Sequence, residues 1–278
     1  MLYHGPIRTG RFGSVTPDPR TVWRCRGCGA GHLSEPAQDY ESSAYRALVD
    51  GSDSAEDFHR LHDAEQAEKL RLVGTGDLRG RVLMDVGCGA GSFLDVVHGL
   101  CGRTIGIEPT PSLRAAVAAK GHAAFPDCAD VPDVWKEQVD VAVSFSVVEH
   151  LPDPLGFLRD IRRLVRPGGR LVLSTPNRRD WLLDLLPDDY GRFFYRAVHL
   201  WYFDADALGH LLRAAGFTDV SVSSVHRYDL SNAIVWLRDR RPTGLGAVPV
   251  AAAADAVFRG LVEAGGVADY LYASSVKG

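Results

Sequence analysis

Disulfide-forming pairs, long apolar runs and a dominant sign of charge are all scarce in this chain. Its 278 residues hold five cysteines, Cys25, Cys28, Cys88, Cys101 and Cys128. An odd count in a chain of this size argues against a disulfide framework and fits a reducing compartment. No run of about 18 apolar residues occurs, so no segment reads as a membrane span. The most apolar late stretch, 248–258, is interrupted by Pro249 and Asp255. The start, Met1-Leu2-Tyr3-His4-Gly5-Pro6, has no apolar secretory core, and the expectation is a cytoplasmic protein. The formal net charge is only −4, which gives no global field for nucleic acid or an anionic membrane. The one basic cluster, Arg238-Asp239-Arg240-Arg241, is broken by an acid and reads as solvated surface.

What is present is an ordinary globular composition, 46% hydrophobic and 24% charged. That is enough for one large α/β domain with or without a small appendage. Residues 1–37 are rich in Gly, Pro, Arg and Thr and read as an irregular module around Cys25-Arg26-Gly27-Cys28. Residues 38–75 read as a helical cap that stops at Gly74-Thr75-Gly76. From 76 to 278 strands and helices alternate. Strands are expected at 82–86, 104–108, 139–145, 170–175, 217–225 and 269–276. Helices are expected at 92–99, 111–120, 154–165, 205–215 and 251–264, and Pro167-Gly168-Gly169 reads as a helix stop. Such β-α repetition predicts a parallel sheet with helices on both faces.

The first candidate site is Gly87-Cys88-Gly89-Ala90-Gly91, between an expected strand and an expected helix. Alternating glycines allow a sharp turn and close approach of a ligand to the backbone. Glu108 ends the next strand about twenty residues on, where Rossmann-type folds place an acid on ribose hydroxyls. A surface Glu at a strand end is the plainer alternative.

Four segments, taken in order, resemble the class I methyltransferases. They are Asp85-Val86-Gly87-Cys88-Gly89-Ala90-Gly91; Phe145 to Pro154, with Glu149-His150 at its centre; Leu164 to Leu171 followed by Ser174-Thr175-Pro176-Asn177; and His199-Leu200-Trp201-Tyr202-Phe203 before a helix ending Ala215-Gly216-Phe217. Within that superfamily they are similar to the branch of the ubiquinone-biosynthesis O-methyltransferases and of sugar and natural-product methyltransferases. The resemblance covers about 60 to 220. It implies a Rossmann-like, mostly parallel seven-stranded sheet with helices on both faces, after a small N-terminal cysteine-bearing module. It implies S-adenosylmethionine as the cofactor. Asp85, Gly87, Cys88, Gly89 and Gly91 would hold its amino-acid end, and Glu108 with Pro109 its ribose. Asp127 and Cys128 would lie against the adenine, and Ser144 and Phe145 would line the methyl donor's edge.

A methyl acceptor that is a hydroxyl needs alignment and a base for its proton. His150 is one candidate; it could equally fix the Pro152-Asp153-Pro154 turn. His199 and Tyr195 are the others, in the aromatic stretch 193–203, which suits an acceptor pocket or a core. His62-Asp63 precedes the loop and reads as a solvated helix face rather than a cover. His226, Arg227 and Tyr228 match no spacing rule. The C-x-x-C pair Cys25 and Cys28 is half a zinc site that His4 or His32 could complete, or two reduced thiols in a turn. Zinc is therefore an open structural metal here. Partners expected are a small-molecule acceptor, with no nucleic acid and no membrane; a homodimer is left open.

The expected function is methyl transfer to a hydroxyl of a sugar or natural-product intermediate, with carbon or nitrogen acceptors open. An NAD-dependent oxidoreductase would share the loop and the acid. Ser92 in place of a last loop glycine, and the Glu149-His150 segment, count against it. A non-catalytic S-adenosylmethionine-binding protein would keep the same loop. A nucleic-acid methyltransferase is disfavoured by the charge and by the lack of an Asn-Pro-Pro-Tyr type motif.

Overall fold

A computed structural model describes residues 1–10, 12–34, 54–76 and 78–278. The part of the helical cap expected at 38–53 lies outside the described residues. In chain order the elements are β1 (Tyr3–Gly5), β2 (Arg20–Arg24), β3 (Gly31–Leu33), α1 (Ala55–His62), α2 (Gln66–Val73), β4 (Val82–Val86), α3 (Ser92–Val97), β5 (Arg103–Ile107), α4 (Pro111–Ala119), β6 (Ala123–Phe125), β7 (Val139–Phe145), α5 (Pro154–Leu164) and β8 (Val165–Pro176). There follow α6 (Trp181–Leu185), α7 (Asp189–Phe194), β9 (Trp201–Tyr202), α8 (Ala205–Ala214), β10 (Phe217–Val225), α9 (Leu230–Asp239), α10 (Ala252–Ala264) and β11 (Tyr270–Lys277). None of the described helices is long and apolar enough to cross a membrane.

The chain divides into two compact units. One comprises Asp39–Ser174, Leu211–Ser221 and Ala273–Gly278. It is built on the expected mostly parallel sheet of seven strands, in the order β10-β11-β8-β7-β4-β5-β6. β4 pairs in parallel with both β5 and β7. The chain therefore moves outward through β5 and β6 and returns to β7 beside β4. In open α/β sheets, ligands bind at the carboxyl ends of strands where the order reverses in this way. Val141, Ala142 and Val143 of the central β7 are all buried, because helices cover both faces of a parallel sheet and its strands become continuous apolar runs. Leu83, Phe93, Leu94, Val97, Val117, Val141 and Val143 form this unit's core with Val73 and Leu78.

Helix α5 shows how sequence dictates an element here. Asp153 caps it by accepting from the Gly156 amide at 2.9 Å, and Pro154 opens the first turn. Leu158, Ile161 and Leu164 lie on one face and are fully buried, each worth roughly 1.5–3 kcal/mol. The helix ends at Leu164 and β8 begins at once. Val139 faces Val165, and Val141 faces Arg170. Pro167-Gly168-Gly169 is thus an irregular excursion inside a strand and does not separate helix from strand.

The second unit comprises Met1–Gln38, Thr175–His210 and Val222–Tyr272. The N-terminal residues are less irregular than their composition suggests. β1, β2, β3 and β9 form an antiparallel four-stranded sheet. Ile7, Val22 and Leu33 share a core with Tyr190, Phe194, Tyr195, Ala197, Tyr202 and Trp236. Strands of two to five residues are too short to display a period of two. Helix α9, also unanticipated, is capped by Asp229 accepting from the Asn232 amide at 2.9 Å.

Candidate active site

The glycine loop leaves the carboxyl end of β4 and is held from two sides. The amides of Gly87 and Cys88 both donate to the Ile107 carbonyl on β5, at 2.8 and 3.1 Å. The Gly89 amide donates to Oε2 of Glu108 at 3.0 Å, and the Thr110 amide donates to Oε1 at 2.9 Å. Arg114 binds the Glu108 and Pro109 carbonyls, each at 2.8 Å. The Glu108 carboxylate, only 2% exposed, thus joins the first and second strand ends into one cradle. Gly87 and Gly89 lie in the left-handed region, with φ of 80° and 56°. A Cβ on Gly87 would stand 2.3 Å from a methyl of Val147, and one on Gly89 would stand 2.1 Å from the Phe58 ring. Both positions demand glycine for backbone and for space.

Asp85 closes β4 beneath this loop. It is almost wholly buried. Burial raises its carboxyl to about 7, Lys69 pulls it down and Glu108 pushes it up. Its side chain has no hydrogen-bond donor among the described residues. The Lys69 ammonium stands 5.3 Å above the Phe145 ring at the end of β7. Phe145 in turn meets Phe93 edge-on at 5.3 Å. Ser146 follows at φ 58°, a strained conformation for a non-glycine that costs about 1–3 kcal/mol and is found where a site over-determines the backbone.

Other expected contacts serve the frame. Ser144 donates to the Val86 carbonyl at 3.0 Å and braces β7 against β4. The Cys88 thiol lies in the apolar core, where it donates to the Gly89 carbonyl at 3.7 Å, and burial raises its pKa well above the ordinary thiol value. Cys128 is buried with its thiol raised to about 12 by burial, and its carbonyl accepts from Arg163 at 2.8 Å. Asp127 is exposed and accepts from the Ala129 amide at 2.8 Å. His150 lies in a short turn after β7 and is buried, its amide bound to the Val147 carbonyl at 2.9 Å.

Helix α1 rests on the loop through Phe58 and His59, while Asp63, just past its end, lies on the solvated face. Phe58 rests on Gly89 and on His62, ring centroids 4.3 Å apart. His59 Nδ1 meets the Ser92 hydroxyl at 2.8 Å, and the Lys120 ammonium bridges His59 Nε2 at 2.7 Å and the Ala90 carbonyl at 3.1 Å. The signal was present in the sequence: Phe58 and His62 are four residues apart on one helix face. Lys69 and Lys120 carried no such signal.

Tyr195 and His199 belong to the other unit. Tyr195 stacks on Tyr3 at 4.3 Å and is 6% exposed; burial raises its phenol to about 12. His199 is buried, with its amide bound to the Arg196 carbonyl at 3.1 Å. Cys25 and Cys28 sit in the turn between β2 and β3. The Cys25 thiol is lowered by hydrogen bonding to the Cys28 and Gly27 amides, while burial raises that of Cys28. His4 does not join them: it faces Thr21, four residues before Cys25, with its ring 3.0 Å from the Thr21 hydroxyl. His32 lies edge-on to Trp201 at 4.6 Å. The knuckle therefore offers two sulfurs, half of what a tetrahedral zinc site requires.

The fold and this cradle define a class, the Rossmann-like methyltransferases, and comparison with known proteins agrees. Residues 58–222 match a family model described as a methyltransferase domain. The chain belongs to that family. The ubiquinone biosynthesis O-methyltransferase of Bradyrhizobium sp. (strain ORS 278) is 32% identical over 132 residues, which are 45% of this chain and 52% of the relative. That of Aeromonas salmonicida (strain A449) is 30% identical over 184 residues, 57% of this chain and 71% of the relative. The chain spans about half the length of the first of these. Among solved structures, a chain of the complex between the Haloferax volcanii Trm112 methyltransferase activator and the putative methyltransferase aligns with a TM-score of 0.58 at 19% identity, covering 86% of this chain and 98% of that one. A SAM dependent methyltransferase from Archaeoglobus fulgidus aligns at 0.55 and 17% identity, covering 80% and 97%. At such identities the likeness is one of fold.

The loop geometry yields a stability test. Gly89→Ala should lower the free energy of unfolding by about 1–3 kcal/mol through its φ and its clash with Phe58. Adding Phe58→Ala should recover the steric part, beyond the loss measured for Phe58→Ala alone. Equal stability of Gly89→Ala and the parent in denaturant unfolding would show that α1 does not rest on the loop.

Proposed function

We propose that this chain transfers a methyl group from S-adenosylmethionine to a small-molecule acceptor, expected to be a hydroxyl of a sugar or natural-product intermediate. The Glu108 clamp is the observation that carries the donor half. Glu108 Oε2 accepts from the Gly89 amide and Oε1 from the Thr110 amide, which holds an acid at the end of the second strand, where a carboxylate can accept from ribose hydroxyls. Gly87, Gly89 and Gly91 leave backbone room, and Asp85 has an unmatched carboxyl for the donor's ammonium. Lys69 adds a cation for its carboxylate. Asp127 and the Cys128 backbone are assigned to the adenine, and Phe145 to the sulfonium side.

When bound, S-adenosylmethionine supplies an electrophilic methyl that leaves in line with the attacking atom. The chain's task is then to orient the acceptor and remove its proton. A histidine near neutrality suits the proton, and His150 and His199 are the two assigned. Tyr195 is set aside, since a phenol raised to about 12 keeps its proton at neutral pH. The named activity of the curated relatives supports oxygen as the acceptor atom; the sugar or natural-product character rests on the branch that the motifs resemble. Among the described residues no third ligand joins Cys25 and Cys28, and no step is assigned to a metal.

Two measurements test this reading. Asp85 is raised to about 7, so it loses charge as pH falls through neutrality, and a cationic ligand beside it loses affinity in the same window. Calorimetric titration with S-adenosylmethionine should show affinity declining below about pH 7, approaching tenfold per pH unit at the limit. Asp85→Asn should bind weakly without that slope; a flat wild-type profile would remove Asp85 from the site. With an accepted substrate, His150→Ala or His199→Ala should cut kcat by about 100-fold or more, and Tyr195→Phe should leave it unchanged. Full rate in both histidine variants would remove both as base.

A further inference from the structure

The unit that holds the four-stranded sheet contains a cavity of about 350 Å³, lined by polar groups on one hand and aromatic rings on the other. The rings of Tyr190, Phe193 and Trp236 fix one another. Tyr190 meets Trp236 edge-on at 4.9 Å, and Phe193 lies 5.1 Å from Trp236. Two carboxyl groups line the same cavity, Asp269 and Asp180. Asp269 is matched: Arg227 donates to Oδ2 from Nε at 2.8 Å, and His226 Nδ1 stands 3.2 Å from Oδ1. Asp180 caps α6 and is only 1% exposed. Its Oδ1 accepts from the Leu182 amide at 3.0 Å and its Oδ2 from the Tyr190 hydroxyl at 2.5 Å. It has no ion pair among the described residues. Burial first, and the charge of Asp269 second, raise its carboxyl to about 7. Trp181 also lines the cavity, and its indole Nε1 is buried without an acceptor. Asn232, another lining residue, is 5% exposed. Its side-chain oxygen accepts from the Thr243 amide at 3.4 Å, while its side-chain nitrogen has no acceptor among the described residues.

A buried carboxyl without a cation is costly, and so is a buried N–H without an acceptor. Both deficits border one cavity. The complement of the first is a cation, and aromatic faces beside it favour an organic ammonium. The complement of the second is an oxygen. We propose that this cavity is a binding site for a small organic ammonium that carries a neighbouring hydroxyl. The ammonium pairs with Asp180, the hydroxyl oxygen accepts from Trp181 and Asn232, and the apolar remainder lies against Tyr190, Phe193 and Trp236. Asp269, held by Arg227 and His226, keeps its own partners and does not compete for the ligand. A volume of about 350 Å³ lies in the lower part of the range of small-molecule pockets. The site lies wholly within this unit and goes beyond the methyl-transfer reading, since its occupancy can be measured without methyl donor or turnover.

The test is calorimetric titration of the full chain, without S-adenosylmethionine, with phenylethanolamine, phenylethanediol and phenethylamine. The diol replaces the ammonium by a hydroxyl, and phenethylamine lacks the hydroxyl. Phenylethanolamine should bind saturably at a single site. The diol should bind about tenfold or more weaker, and phenethylamine about threefold weaker. Asp180→Asn should weaken phenylethanolamine by about tenfold or more and leave the diol within about twofold. Trp181→Phe should remove the advantage of phenylethanolamine over phenethylamine. Thermal unfolding of each variant reports whether it folds. If Asp180→Asn does not, the preference of the wild-type chain for ammonium over diol decides, together with Trp181→Phe. Saturable binding by none of the three overturns the proposal. So does equal affinity for phenylethanolamine and the diol, or unchanged affinity in folded Asp180→Asn. Binding of phenylethanolamine that persists while S-adenosylmethionine fails to bind would leave the site standing and remove the methyl-transfer reading alone.

Discussion

The carboxylate of Glu108 is the interaction on which the candidate site depends. It accepts from Gly89 on one loop and Thr110 on the next, and together with the Gly87 and Cys88 amides on the Ile107 carbonyl it ties the two loops at the ends of β4 and β5. A charged acceptor binding two amides in a nearly water-free place is stronger than a neutral hydrogen bond. The same group limits what the loop can accommodate. A ligand arriving over Gly89 meets an anion already oriented, and a ribose diol suits that arrangement better than a phosphate, which would meet repulsion.

The two units differ in their chemistry. The unit with the parallel sheet carries a buried acid raised toward neutrality at Asp85, a strained Ser146 and a helix laid over the glycines through Phe58. The other is built on stacked aromatic rings, Tyr3, Tyr190, Tyr195, Tyr202 and Trp236, among which phenols are held neutral by burial.

Much of this was legible in the sequence because parallel strands buried on both faces leave unmistakable marks. The runs 82–86, 139–145 and 217–225 were found within their true limits, as was the glycine loop. The acid of the second strand, Glu108, expected as the last residue of that strand, stands just beyond β5. What escaped had weaker local signals. β6 is three residues long, and the N-terminal sheet is made of strands too short to alternate. Pro167-Gly168-Gly169 has the composition of a stop, yet parallel pairing on both sides absorbs it. Cys88, Cys128 and Ser144 lie beside the cradle in sequence, while their side chains turn into the core or the neighbouring strand. Their positions could be read from motif spacing, but their directions could not. His4 was drawn to the cysteines by type alone, and the antiparallel register carries it away.

The central claim is that the cradle of Gly89 and Glu108 receives the adenosine of S-adenosylmethionine. Calorimetric titration of the wild-type chain and of Glu108→Ala with S-adenosylmethionine and with NAD tests it most directly. The account predicts one saturable site for S-adenosylmethionine, weakened by about tenfold or more in Glu108→Ala, and no saturable binding of NAD. Equal affinity in the two proteins, or saturable binding of NAD in place of S-adenosylmethionine, would contradict it.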